Sequence, residues 1–212
     1  MNKIKKILAA NRSEIAIRIF RAAEESGIKT AAIYSKEDRF ALHRFKTDES
    51  YLVGEGKGPI QAYLDINSII DIAKKAGVDA IHPGYGFLSE NPDLADQCEK
   101  NNIIFIGPTK EILNRLGNKT SAKEVADEAG VSTIPSVKVN EENKKTIHDD
   151  INKIGYPVIV KASWGGGGRG MRVVRSPDEL SEQIELAQSE SKKAFGKDEV
   201  FIEKFLEDAA HI

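Results

Sequence analysis

The strongest constraint on the fold is a rhythm in which short apolar runs alternate with longer segments of helical period. The first run covers residues 6–10, a helical-period segment follows at 13–26 and is closed by Gly27, and a second run occupies 30–34. Parallel strands need a crossover between them, and a helix is the usual crossover. Run, helix, run therefore predicts βαβ units and a mostly parallel sheet with helices on its faces. Further strands are expected at 50–53, 80–82 and 103–107, separated by helices at 66–76, ending at Gly77, and at 92–100. The turn after the first run reads Ala9-Ala10-Asn11-Arg12-Ser13-Glu14 and lacks G-x-G-x-x-G. A doubly wound domain without the dinucleotide fingerprint argues against a nicotinamide enzyme.

Two helical stretches come next, at 110–116 and 121–129, with Gly117 and Gly130 as breaks, and they read as a connector. From Thr133 the pattern changes to an α+β unit: a strand at 134–139, a polar helix around 144–154, strands at 157–161 and 171–174, a helix at 177–194 and a strand at 200–205. The charge-rich tract 188–198 reads as a solvated helix end and loop. The expected fold class is α/β, with a doubly wound, Rossmann-like N-terminal domain over 1–115, a connector over 116–132, an α+β subdomain over 133–206, and the beginning of a further lobe at 207–212.

With 212 residues, 40% of them apolar, the chain has enough material for packed cores. Its 31 basic and 33 acidic side chains leave a net charge of −2, which offers no electrostatic footprint for nucleic acid or an anionic membrane. Phosphate ligands must then be met locally. The single cysteine, Cys98, can form no internal disulfide and no cysteine metal site; it reads as a small helix residue and suits a reducing compartment or the mitochondrial matrix. The basic N-terminus has an apolar stretch, 7–10, that meets Asn11 and Arg12 too soon for a signal peptide or a membrane span. The expectation is a soluble, cytoplasmic protein.

The segment richest in chemistry is K-A-S-W-G-G-G-G-R-G-M at 161–171. A strand delivers Lys161, and five glycines around Arg169 provide backbone N–H groups that no side chain obstructs, which suits closure over a polyphosphate. No G-K-[ST] follows, and the glycines join two strands where a Walker loop would open a helix, so this is a different phosphate loop. Four consecutive glycines cost roughly 0.5–1 kcal/mol each on ordering relative to alanine, so a merely structural turn would seldom use them.

This segment resembles the phosphate-covering loop of the biotin carboxylase branch of the ATP-grasp enzymes. Other segments carry the same resemblance in the same order: A-N-R-S-E-I-A at 10–16, I-H-P-G-Y-G-F-L-S-E-N at 81–91, F-I-G-P at 105–108 and G-N-K at 117–119. The resemblance covers the whole chain. It implies that 133–206 is an ATP-grasp lid, that Lys119 and Lys161 contact ATP phosphates, that Gly167 and Gly168 supply backbone amides to them, and that Met171 packs near the nucleotide. It likewise implies that Glu203, Lys204, Phe205 and Leu206 form the adenine hinge, with Glu203 receiving the exocyclic amine. His211 is placed near the nucleotide, with Ala210 standing where the family commonly has a basic residue. Tyr85, in a loop at a strand's carboxyl end, is implied to face the biotin and bicarbonate pocket.

The implied reaction starts with bicarbonate attacking the γ-phosphate of MgATP, gives carboxyphosphate, and ends with carboxylation of biotin borne on a carrier domain of the same protein. Cations and backbone amides aimed at a phosphoryl group in a water-excluding lid are what such a transition state needs. By the same resemblance the acidic Mg2+ ligands and the remaining catalytic residues are expected beyond Ile212. The chain is expected to lack a C-terminal lobe, to hold no metal ligand of its own, to bind ATP weakly and not to turn over alone, and to act within a homo-oligomer in the full-length enzyme. Trp164, together with 34–39 and 41–46, looks like the pyruvate-carboxylating branch, in which a separate domain makes oxaloacetate for anaplerosis and gluconeogenesis. The alternatives are the acetyl-CoA or propionyl-CoA branches, or another ATP-grasp ligase joining a carboxylate to an amine, which should lack the 82–86 loop. A non-catalytic nucleotide sensor is disfavoured by the presence of Lys119, Lys161 and Glu203.

Overall fold

The alternating rhythm becomes, in the computed structural model, two units that divide between Asn114 and Arg115, each with its own sheet. Residues 4–143, 146–164 and 171–209 are described. The first unit runs β1 (Lys6–Ala9), α1 (Ser13–Glu25), β2 (Lys29–Tyr34), two 3-10 turns (Glu37–Phe40 and Leu42–Phe45), β3 (Glu49–Leu52), α2 (Pro59–Tyr63), α3 (Ile66–Ala76), β4 (Ala80–His82), α4 (Pro92–Lys100) and β5 (Ile104–Phe105), and α5 (Lys110–Leu116) spans the division. Its strands lie in the order β3-β2-β1-β4-β5, all parallel, with Leu8 of β1 opposite Ala31 on one side and Ile81 on the other. The direction of winding reverses at β1 and β4, so the loops at their carboxyl ends flank a topological switch point, where open α/β sheets bind ligands.

Strand period explains the double cover. Ile7 and Ala9 pack with Ala16, Ile19, Phe20 and Ala23 of α1, whereas Leu8 packs on the other face with Tyr63, Ile69, Ala73 and Leu94. With both faces buried, each central strand is a near-continuous apolar run, which is why these strands stand out in the sequence. Two of the helices, α3 and α4, begin where a side chain satisfies their first N–H groups. Asp65 accepts from Ser68 N at α3, and Asn91 accepts from Asp93 N and Leu94 N at α4, where Pro92 sits at a position needing no donor.

The second unit runs α6 (Lys119–Glu128), β6 (Ser136–Lys138), α7 (Ile147–Ile154), β7 (Val158–Ala162), β8 (Arg172–Val174), α8 (Pro177–Phe195) and β9 (Val200–Lys204). Its antiparallel sheet has the order β6-β9-β7-β8. Val158, Val160, Val200 and Ile202 share a core with Ile147, Ile151, Leu180, Ile184 and Ala187 of the two covering helices. Period two then puts Ile159, Lys161, Phe201 and Glu203 on the opposite face.

The expected fold class agrees with both sheets. The differences are local. Helix α2 and the two 3-10 turns were not anticipated, because pieces this short show no period of their own. Helix α6 starts at Lys119, two residues ahead of expectation, because Asn118 accepts from Thr120 N and Ser121 N and so caps it there. The expected polar helix at 144–154 is seen as Ile147–Ile154, with Lys144 and Lys145 outside the described residues. Among the described residues no helix is long and apolar enough to cross a membrane.

Leu94 is fully buried between α4 and the sheet. Leu94→Ala is expected to lower the stability of the first unit by about 2–5 kcal/mol, read as a lower urea midpoint at unchanged m in far-UV circular dichroism.

Candidate functional site

In the second unit the site is built around one carboxylate. β9 carries Glu203 opposite Ile159 of β7, so Lys161, two residues along β7 on the same face, is its diagonal neighbour. Lys161 Nζ donates to Glu203 Oε1. From the other side Lys123 Nζ of α6 reaches Oε2 at 2.7 Å. Glu203 is only 5% exposed. Burial alone would push its carboxyl up, but the hydrogen bonds from Lys123 and Lys161 overcome that and hold it below the ordinary carboxylate value. Two cations on one buried anion leave an excess of positive charge on this sheet face. A carboxylate with one acceptor site per oxygen taken still has lone pairs to offer.

Lys123 is tied down further: Nζ donates to Ile134 O at 2.9 Å and lies 5.6 Å from the centre of the Phe201 ring. Lys119 begins the same helix one turn earlier, and its backbone N–H donates to Ser163 O at 3.4 Å, while Thr120 Oγ1 and Ser163 Oγ lie 3.2 Å apart. The start of α6 is thereby fastened to the end of β7. Of the expected hinge, Lys204 N donates to Pro135 O at 3.0 Å and Phe205 N to Pro157 O at 3.1 Å, so these two donors extend the sheet. Lys204 Nζ is occupied by Gly155 O at 3.1 Å and Tyr156 O at 3.0 Å. Met171 and Leu206 are exposed at 49% and 51%. Gly167, Gly168 and His211 lie outside the described residues, as does Ala210. Trp164 Nε1 donates to Glu199 Oε2 at 2.8 Å, and Lys197 Nζ sits 3.5 Å over its ring.

In the first unit Tyr85 stands in the loop after β4. Asn11, after β1, donates from Nδ2 to Pro83 O and Tyr85 O, both at 2.8 Å, strapping the two strand-end loops together. Gly84 must be glycine here: its φ is +68°, and a Cβ would come within 2.8 Å of Asn11 Nδ2. The Tyr85 hydroxyl donates to the Glu14 carboxylate, which raises its pKa, and Tyr85 is 62% exposed. Beside it lies a network the sequence did not single out. Arg12 Nη1 donates to Asp38 Oδ2 at 3.0 Å and the Tyr63 hydroxyl donates to the same oxygen at 2.7 Å. Burial works to raise the Asp38 carboxyl, and Tyr63 and Arg12 together hold it down. His43 Nε2 lies 3.1 Å from Ile33 O, so it carries the proton, and burial lowers the pKa of the ring.

The structure thus brings Lys161, Glu203 and the start of α6 at Lys119 together, and it adds Lys123. The signal for Lys123 was its spacing of one helical turn from Lys119. No group of three or more His, Cys, Asp or Glu side chains among the described residues is placed to hold a metal.

Residues 3–113 match the family described as biotin carboxylase, N-terminal domain, and residues 118–212 match the carbamoyl-phosphate synthase L chain, ATP binding domain. The chain is 57% identical over 209 residues to the pyruvate carboxylase of Bacillus subtilis (strain 168), covering 99% of this chain and 18% of that protein. It superposes on Rhizobium etli pyruvate carboxylase, solved with acetyl coenzyme-A, with a TM-score of 0.85 and 53% identity, covering 97% of this chain and 18% of the other. On the biotin carboxylase domain dimer of Hydrogenobacter thermophilus 2-oxoglutarate carboxylase, solved with MgADP, ADP and bicarbonate, the TM-score is 0.89 at 43% identity, covering 98% of this chain and 45% of that one. The chain therefore spans less than a fifth of the length of these two pyruvate carboxylases.

The Glu203 carboxyl is held below its ordinary value of 4.5, so its contribution to stability is full above that value and is lost as pH falls through the lower folded value. Urea unfolding between neutral pH and about pH 3 is expected to show that acid-dependent loss, and Glu203→Gln is expected to be less stable at neutral pH and to lack this part of the acid dependence.

Proposed function

The chain belongs to the biotin carboxylase family, and from that premise we propose that it is the nucleotide-binding portion of the biotin carboxylase region of a pyruvate carboxylase. The reaction proposed for the whole enzyme is ATP- and bicarbonate-dependent carboxylation of biotin, whose carboxyl group passes to pyruvate to give oxaloacetate. The observation that carries the nucleotide assignment is the meeting of Lys161 and Lys123 at buried Glu203, on the sheet face that α7 and α8 leave to other partners. The choice of pyruvate as acceptor is supported by the 57% identity to the Bacillus subtilis enzyme across 99% of the chain.

On this reading Lys119 and Lys161 take the phosphates as compact point charges. Met171 covers one face of the base, and the segment 203–206 receives its edge, with the remaining lone pairs of Glu203 available to an amine. ATP bound with Mg2+ supplies the activated phosphoryl group. The chain's own contribution is to bind, orient and screen it from water, which is where most of the catalytic advantage in phosphoryl transfer arises. We place the protein ligands of Mg2+ outside the described residues. Tyr85, held by the Asn11 strap, is assigned to the biotin and bicarbonate side. A biotin carrier domain and a second copy of the chain are the proposed partners; the Hydrogenobacter relative was solved as a dimer.

Calorimetric titration of MgATP into the purified chain tests this reading. Saturable one-to-one binding is expected, weakened about 10–100-fold by Lys161→Ala, the effect of losing a hydrogen bond to a charged group. A folded chain with no MgATP binding, or with binding indifferent to Lys161, would overturn the assignment.

A further inference from the structure

The two lysines at Glu203 are held very differently. Among the described residues Lys123 Nζ meets Glu203 Oε2 at 2.7 Å, Ile134 O at 2.9 Å and the Phe201 ring at 5.6 Å. Lys161 Nζ is shown bonded to Glu203 Oε1, and its strand leads directly into the glycine tract at 165–168. We infer that Lys123 is the resident counter-ion of Glu203, a positioning residue that keeps the carboxylate charged and in place while Lys161 exchanges it for a nucleotide phosphate. This inference rests on the nucleotide assignment above and adds a role to a residue that assignment does not use.

The physical need is plain. A carboxylate buried to this degree cannot stay ionised without a cation beside it, and taking away its partner leaves either an unpaired buried charge or a proton taken up. If Lys161 were the sole partner, its departure to a phosphate would cost the site its carboxylate. Lys123 removes that conflict: it comes from a different element, α6, and its second bond to Ile134 O fixes Nζ independently of Lys161. Among the described residues the cations paired with Glu203 are Lys123 from α6 and Lys161 from β7, and uncharged Ser136 lies opposite it in the β6–β9 register. Glu203 then stays an anion in both conditions, free to accept from an amine.

Carboxyl-labelled glutamate NMR of the whole chain, without nucleotide, tests the counter-ion role directly. In Lys161→Met, which imitates departure of that lysine, Glu203 is expected to titrate still below its ordinary 4.5; in the Lys123→Met, Lys161→Met double variant it is expected to titrate above it. A carboxyl that rises above the ordinary value in Lys161→Met alone overturns the inference, whatever nucleotide does. The exchange is tested by MgATP calorimetry in buffers of different ionisation enthalpy. Lys123→Met is expected to bind about 10-fold more weakly at neutral pH, to take up close to one proton on binding and to recover affinity as pH falls, with Lys123→Arg restoring the wild-type behaviour. Affinity lost with no proton uptake and no pH dependence would reduce Lys123 to a merely structural residue. Wild-type binding that needs Lys161 but ignores Lys123→Met would sink this inference and leave the nucleotide assignment standing, whereas a wild type that does not bind MgATP would sink both.

Discussion

A carboxylate taken out of water has to be met by cations, and in the second unit that requirement organises the site. Glu203 lies on the sheet face away from α7 and α8 and is nearly inaccessible. It therefore demands Lys161 from the neighbouring strand and Lys123 from α6. Satisfying it pins α6 over the β7–β9 pair, and the Asn118 cap and the Lys119 N to Ser163 O bond then hold the helix start beside the strand end. Breaking a buried pair by removing one partner typically costs about 3–5 kcal/mol, because the other is left uncompensated. A pair with two cations is more forgiving, and that tolerance is what a site exchanging partners needs.

The first unit solves a similar problem with a different acid. Asp38 comes from the 3-10 turn after β2, and it collects Arg12 from the turn after β1 and Tyr63 from α2, the last residue of a helix too short to announce itself. Arg12 also lies within 6.0 Å of the Phe87 ring, and Phe87 stacks on Tyr63 at 5.2 Å. Together with the Asn11 strap to Pro83 and Tyr85, these contacts fix the loops at the carboxyl ends of β1 and β4. That is the place where a doubly wound sheet offers a binding crevice. The loop that carries Tyr85 is thus not a free excursion; its backbone is bonded into the sheet end, while Tyr85 itself is exposed.

Much of this was legible in the residues. The parallel sheet could be read because both of its faces are buried, which makes its central strands continuous apolar runs. Helices at 66–76, 92–100 and 110–116 were placed with the observed ends because Gly, Asn and Pro mark them chemically. Helix α2 could not be read, since five residues make little more than one turn and carry no period. Lys123 is hard to single out because a lysine on an exposed helix is ordinarily solvated, and its one-turn spacing from Lys119 is a weak signal beside the G-N-K motif that marks Lys119. The Arg12, Asp38 and Tyr63 network was equally invisible, as its members come from three separate segments.

What the sequence determined by itself was pattern and chemistry: where the chain alternates with period two or with helical period, which stretches must be buried, and which residues carry cations and carboxylates. What only the tertiary structure decided was partnership. Strand period puts Lys161 and Glu203 on definite faces, but it takes the β7–β9 register to make them diagonal neighbours across 42 residues of chain. It takes the packing of α6 to deliver Lys123 to the same carboxylate. Local rules act over a few residues, whereas the energy of a buried charge is set by whatever the fold brings within a few ångströms of it, and that is a property of the folded chain alone.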